Sequence, residues 1–198
     1  MKHLIPLTIA TLTLAACVDT TGISPESSAY PHPQSNPNAA VVVQEYADLQ
    51  CPACKAAHEL LVKPLLAEMG SQVRYEYRQF PLSSIHRYAL DAAEASECAA
   101  DQGKFWEFID TAFTRQDELN NEALKEWAAA LGLEADLFGR CVDSNIKRDA
   151  VLAQYDAGLE RGVTGTPTFF VNGKKVTSTI DAIRTAVKEA AAGAAMML

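Results

Sequence analysis

The chain has 198 residues, with 25 acidic side chains against 17 lysines and arginines, a formal net charge of -8 and a pI near 5.0. An acidic chain without a basic stripe is not built to hold nucleic acid, and no repeat period points to a solenoid. Roughly 160 residues follow a polar N-terminal stretch, enough for one domain with a sizeable core.

Met1-Lys2-His3 is a short basic start, Leu4 to Leu14 is apolar apart from three threonines, and Ala15-Ala16 follows. This pattern predicts an exported chain whose residues 1–16 are a leader, too short to span a bilayer as a helix. Leu14-Ala15-Ala16-Cys17 resembles a bacterial lipobox. The resemblance implies that Cys17 is acylated and becomes the mature N-terminus, held at a lipid bilayer, since each buried methylene is worth about 0.8 kcal/mol. The other reading is an ordinary cleaved leader with Cys17 lost or free. Val18, in place of an aspartate, implies by resemblance to diderm lipoproteins a place at the outer membrane. Residues 17–40 are rich in Ser, Pro, Asn and Thr and carry few large apolar side chains. They are expected to form the lipidated N-terminus and a flexible tether, with the folded domain over 41–198.

The globular part opens on Val41-Val42-Val43-Gln44-Glu45-Tyr46-Ala47, a short β-branched run that reads as a buried strand. A short loop, Asp48 to Gln50, leads into Cys51-Pro52-Ala53-Cys54. Two cysteines three apart share one helix face and can form a local disulfide. At a helix start, unpaired N–H groups and the helix dipole favour a thiolate on Cys51, and Pro52 suits the first helical position. The helix is expected from about Pro52 to Met69, kinked at Pro64 and ended by Gly70. Val73, Tyr75 and Tyr77 alternate with charged residues as a second strand, up to Phe80-Pro81. From about 84 to 161 the chain is rich in Ala, Glu, Leu and Lys, with helical periodicity broken at Gly103, Gly132 and Gly139, so an inserted helical subdomain is expected. Thr168 to Val171 and Lys174 to Thr177 flank Asn172-Gly173, the strongest short-range hairpin signal. An Ala-rich helix from about Ile180 to Ala191 closes the order. Strand, helix, strand, helices, hairpin and helix describe an α/β sandwich with the dithiol at the carboxyl end of a central strand.

If lipid takes Cys17, four cysteines remain in an exported, oxidising setting. Cys51 and Cys54 pair locally, which leaves Cys98 with Cys141. That bridge would contribute up to about 4 kcal/mol in the chain-entropy model. The alternative is a pair of reduced core cysteines.

Three segments carry a resemblance to the thioredoxin superfamily and, through the helical insertion, to its DsbA-like branch. They are Glu45 to Cys54, Cys98 to Glu107, and Gly165-Thr166-Pro167-Thr168-Phe169-Phe170-Val171-Asn172-Gly173. The resemblance implies an α/β thioredoxin-like fold with an inserted all-helical subdomain. It also implies that Cys51 is the exposed nucleophile, Cys54 the buried resolving partner, and Pro167 a cis-proline facing the dithiol. Thr166 would then offer backbone groups to an extended substrate. Glu45 matches a buried acidic residue beneath the dithiol that relays protons to Cys54. Its other reading is a glutamate at an exposed strand edge. His58 shares a helix face with Cys54 but is more simply a packed or solvated helix histidine, and His86 carries less information still. Phe105, Trp106 and Phe108 read as core of the insertion.

The strongly oxidising members of this branch carry a histidine between the cysteines, where this chain has Pro52-Ala53. The expected Cys51 pKa is therefore below the free value of about 8.5 yet above the lowest known for the motif, giving a milder oxidant. The implied activity is an envelope thiol:disulfide oxidoreductase that puts disulfides into exported client proteins with free thiols. A membrane redox partner would reoxidise it, and no organic cofactor is needed. A reductase or isomerase kept reduced by an envelope electron donor is the alternative. A metal-binding module using Cys51, Cys54 and His58 is a weaker one, for lack of a fourth ligand close by.

Overall fold

The computed structural model describes residues 18–27 and 32–195, so the leader 1–16 and the lipidation site Cys17 lie outside the described residues. Among the described residues, five strands form one sheet: β1 (Pro33–Ser35), β2 (Val41–Ala47), β3 (Val73–Gln79), β4 (Thr168–Val171) and β5 (Lys174–Val176), in the order β1-β3-β2-β4-β5. The β-branched residues that open β2 fit a pleated, buried surface, and β2 takes the centre, parallel to β3 and antiparallel to β4. Asn172 and Gly173 join β4 to β5 with φ of 44° and 81°, the two left-handed positions that a two-residue hairpin requires. Asn172 Oδ1 also accepts the Val42 N–H at 2.7 Å, fastening the hairpin to the central strand.

One face of the sheet is covered by α1 (Pro52–Ala57), α2 (Lys63–Met69) and α8 (Ile180–Ala195). Val43, Tyr75 and Phe169 pack there against Leu65, Ile183 and Val187. Each such aliphatic side chain contributes about 1.5–3 kcal/mol by leaving water. In place of one kinked helix over 52–69, a π segment, His58–Val62, separates α1 from α2. Pro64 has no N–H for the Leu60 carbonyl, and a wider turn placed just before it accommodates the lost bond.

The insertion contains α3 (Ala89–Ala100), α4 (Phe105–Thr114), α5 (Asn121–Ala130), α6 (Ala135–Asp143) and α7 (Arg148–Glu160). Phe108, Phe113, Trp127 and Phe138 are buried at its centre. Gly103 and Gly132 fall between helices, whereas Gly139 lies inside α6, held there by buried Phe138 and Cys141. Cys98 on α3 and Cys141 on α6 are joined by a disulfide with Cα atoms 5.9 Å apart.

The N-terminal stretch departs from the flexible tether expected over 17–40. Pro33–Ser35 pairs with β3 as an edge strand, and His32 is 5% exposed, stacked on Phe105 with ring centroids 3.9 Å apart. His32 Nε2 lies 2.7 Å from the buried carboxylate of Glu97. Arg140 donates to the carbonyls of Asp19 and Thr21, both at 3.1 Å, and Lys147 to that of Glu26. Backbone pairing, backbone carbonyls and the His32 ring together supply the attachment, so a composition too polar to bury a core still lies along the helical subdomain. Among the described residues, no helix is long and apolar enough to cross a membrane.

Candidate active site

The carboxyl end of β2 delivers the chain to Cys51, the N-cap residue of α1, with extended backbone (φ -77°, ψ 119°) and Pro52 just inside the helix. The Cys54 and Lys55 N–H groups both bond to the Cys51 carbonyl, at 3.0 and 3.1 Å, so the second cysteine stands one turn above the first. The structure holds the pair as two thiols, Cys54 fully buried and Cys51, against the exposed position expected of it, only 7% exposed because the Thr166-Pro167 loop lies over it. Thr166-Pro167 is a cis peptide bond, and it brings the Thr166 carbonyl 3.6 Å from Cys51 Sγ, which donates to it. Residues 51 and 166, 115 apart in sequence, are thereby neighbours.

The two sulfurs have opposite electrostatics. The Cys51 pKa is drawn down to about 5, chiefly by hydrogen bonding from Cys54 and against burial. The Thr166 side chain and the N–H groups of Cys54 and Ala53 add to the effect. Ala53 contributes no charge here, only its main chain. Burial, then Cys51, then Glu45 push the Cys54 thiol far above the ordinary range, although the Asp48 N–H points at its sulfur from 3.5 Å. A thiol lowered enough to ionise at neutral pH thus stands beside a partner that keeps its proton.

Glu45 lies on the central strand and is fully buried, which removes the exposed strand-edge reading. The Tyr75 hydroxyl donates to Oε2, while Oε1 has no hydrogen-bond partner among the described residues. Burial raises this carboxyl to about 7, opposed by Tyr75 and reinforced by the negative charge of Cys51. A carboxyl that changes protonation near neutrality, beneath a buried thiol, is suited to moving a proton.

His58 is buried, its Nε2 2.6 Å from Asp110 Oδ1 and its ring 4.8 Å from that of Phe113. It is a packed helix histidine joining the π segment after α1 to α4, not a ligand shared with the thiols. Phe105 and Phe108 are buried in the insertion, and Trp106 bridges that core to the one beneath the sheet. Other contacts to the cysteine loop had no sequence signal. Gln116 Nε2 donates to the carbonyls of Leu49 and Cys51, at 2.8 and 3.1 Å, and the Tyr88 N–H donates to Gln50 Oε1 at 2.6 Å. His86 Nδ1 sits 2.6 Å from Asp48 Oδ2. An apolar groove of ≈ 390 Å³ lies alongside, lined by Ala53, Ala57, Leu60, Leu61 and Pro167, with Leu60 68% exposed at its edge.

The thioredoxin family model, described as "Thioredoxin", matches residues 28–189. Among curated proteins, the chain is 41% identical over 165 residues to Na(+)/H(+) antiporter NhaA 3 of Salinispora tropica, covering 82% of this chain and 25% of that protein. It is 37% identical over 160 residues to Na(+)/H(+) antiporter NhaA of Herminiimonas arsenicoxydans, covering 80% and 25%. The chain thus spans about a quarter of the length of the relatives it matches. Among solved structures, alpha-DsbA1 of Wolbachia pipientis is similar with a TM-score of 0.73 at 22% identity, over 86% of this chain and 96% of that one. BdbD of Bacillus subtilis gives 0.72 at 20% identity, over 80% and 91%. A thioredoxin-like oxidoreductase of Silicibacter pomeroyi gives 0.70 at 24%, over 80% and 90%. Matched by the family model over most of its length, and folded like these DsbA-like structures around a CxxC helix and a cis-proline loop, the chain belongs to the thioredoxin family.

Proposed function

We propose that the chain is an envelope thiol:disulfide oxidoreductase whose Cys51–Cys54 disulfide is passed to exported proteins. The observation that carries this reading is the asymmetry of the dithiol: Cys51 drawn down to about 5 beside a buried Cys54 that holds its proton. A stabilised Cys51 thiolate favours the reduced pair, and a favoured reduced form makes the disulfide a better oxidant. Ala53, in the place of a histidine, supplies only a backbone donor, in keeping with a moderate oxidant.

In the proposed cycle, a client thiolate attacks Cys51 Sγ, the Cys51–Cys54 bond breaks and Cys54 leaves, taking a proton from Glu45. The client's second thiolate then attacks the client sulfur of the mixed disulfide. A client disulfide forms, Cys51 leaves as thiolate, and two electrons stay on the chain. A membrane redox partner removes those electrons and restores the disulfide, with no organic cofactor. The Thr166 backbone and the groove beside Leu60 would hold the client segment. Acylation at Cys17 would keep the domain at a bilayer, of the outer membrane if the cell has one. That relatives named as Na(+)/H(+) antiporters carry a like segment is in keeping with a place beside a membrane.

The second reading is a reductase or isomerase kept reduced by an envelope donor, favoured by Thr166 before Pro167, a residue type also found among isomerase-like relatives. The disulfide form of the full chain, incubated with a reduced unfolded protein, separates the two. Transfer of the disulfide in stoichiometric amount, lost in Cys51→Ser and arrested as a mixed disulfide in Cys54→Ser, is the expected result. Failure to oxidise such a client, with ready reduction of scrambled disulfides by the dithiol form, would favour the reductase.

A further inference from the structure

We propose that Asp48 and His86 form a positioning pair that sets how readily the Cys51–Cys54 dithiol is oxidised, acting through the backbone of residues 48–51. The proposal rests on the thiol-exchange reading above. Asp48 is 1% exposed, and its carboxylate accepts three hydrogen bonds. Oδ1 takes the Gln50 N–H at 2.7 Å. Oδ2 takes the Leu82 N–H at 3.0 Å and faces His86 Nδ1 at 2.6 Å, with Nδ1 the protonated nitrogen.

The backbone of the same residue reaches both cysteines. The Asp48 carbonyl accepts the Cys51 N–H at 3.1 Å, and the Asp48 N–H points at Cys54 Sγ from 3.5 Å. Gln116 and Gln50 brace the same stretch, but their hydrogen bonds run to the Leu49 and Cys51 carbonyls and to the Tyr88 N–H and bring no donor to Cys54. A buried carboxylate is a costly anchor unless its donors are complete. Here those donors come from the cysteine loop on one side and from the stretch 82–86, at the entry to the helical insertion, on the other.

The chemistry gives this arrangement a direction. When a client attacks Cys51, the electron pair of the broken S–S bond goes to Cys54 Sγ, and the Asp48 N–H faces the sulfur on which that charge appears. The Asp48 carboxylate itself opposes negative charge nearby, as it does at Tyr77. The His86 N–H draws that charge outward and holds Oδ2 in place. Without it, the loop loses its tie and the thiolates face a less compensated carboxylate, so the reduced pair is less favoured.

The test uses the full chain as wild type, His86→Ala and His86→Asn, equilibrated with reduced and oxidised glutathione. Dithiol plus oxidised glutathione gives disulfide plus two reduced glutathiones, and the equilibrium constant is read beside the Cys51 thiolate absorbance and the thermal midpoint. His86→Ala should move the constant about fivefold toward the disulfide and raise the Cys51 midpoint. His86→Asn, whose amide N–H takes the place of Nδ1–H, should stay within about twofold of wild type. A wild-type constant in His86→Ala, with only the thermal midpoint lowered, overturns the assignment, as does an equal shift in both variants. A wild-type chain that equilibrates with glutathione but oxidises no unfolded client counts against the functional reading alone. The variants' constants still decide the role of the pair.

Discussion

Cys51 and Cys54 differ less in sequence position than in what surrounds each sulfur, and Glu45 completes the difference. Its carboxyl stands at about 7, raised by burial against the Tyr75 hydrogen bond. The unfolded value is near 4.3, so stability from this group is present below about pH 4.3 and lost as pH rises toward 7. The total is roughly 4 kcal/mol. Glu45→Gln carries no such titration. Urea unfolding at pH 5 and pH 8 should therefore find wild type losing stability relative to the variant, and equal losses would contradict the buried carboxyl. Tyr75→Phe removes the one hydrogen bond that lowers Glu45, so the acid limb of the thiol-exchange rate should move above pH 7. A limb left in place would show that Tyr75 has no hold on Glu45. The cysteines were legible because their signal is local, and Pro167 through the resemblance carried by its segment. Tyr75, Asp48 and Gln116 were not, because each acts on a partner 30 or more positions away.

Among the elements, those with strong local chemistry were anticipated and those made by pairing were not. Asn172-Gly173 announces its hairpin, and the Val41–Val43 run its strand. Pro33-Gln34-Ser35 has no strand signal of its own and becomes β1 because the outer edge of β3 offers it partners. Polar residues of α3 are buried in a hydrogen-bonded network. Glu97 accepts from Gln79 and Gln154 at 3.2 and 3.1 Å and faces His32 at 2.7 Å. Its carboxyl is pushed up by burial, yet the His32, Ser27 and Gln79 donors bring it below its ordinary value. Close approach decides Gly158 of α7, where an added Cβ would meet Phe80 at 2.7 Å and Tyr46 at 2.9 Å, both ring atoms. Ala would gain about 1 kcal/mol of helix propensity there. Overpacking of about 1–3 kcal/mol should exceed that gain, so Gly158→Ala should lower the urea midpoint. A raised midpoint would mean that α7 can shift off the sheet freely.

Across the whole molecule, the helical insertion frames the thioredoxin core. It supplies Gln116, Tyr88 and His86 to the cysteine loop and receives the N-terminal stretch on its own surface. The Cys98–Cys141 bridge ties α3 to α6 across a sequence separation of 43. Replacing both cysteines by alanine should lower the free energy of unfolding by about 2–4 kcal/mol. A double variant as stable as wild type would leave the bridge without a structural role. Composition alone suggested that 17–40 hangs free. It did not reveal that Arg140 and Lys147, far along the chain, donate to its carbonyls, because backbone acceptors leave no trace in side-chain chemistry. The domain is thus arranged to hold one ionised thiol beside the Thr166-Pro167 loop, and the central claim is that this thiol belongs to a disulfide donor. Trapping the thiols of the full chain in growing cells tests that claim most directly. Cys51 and Cys54 should be recovered mostly as a disulfide, and recovery mostly as free thiols would contradict a disulfide donor.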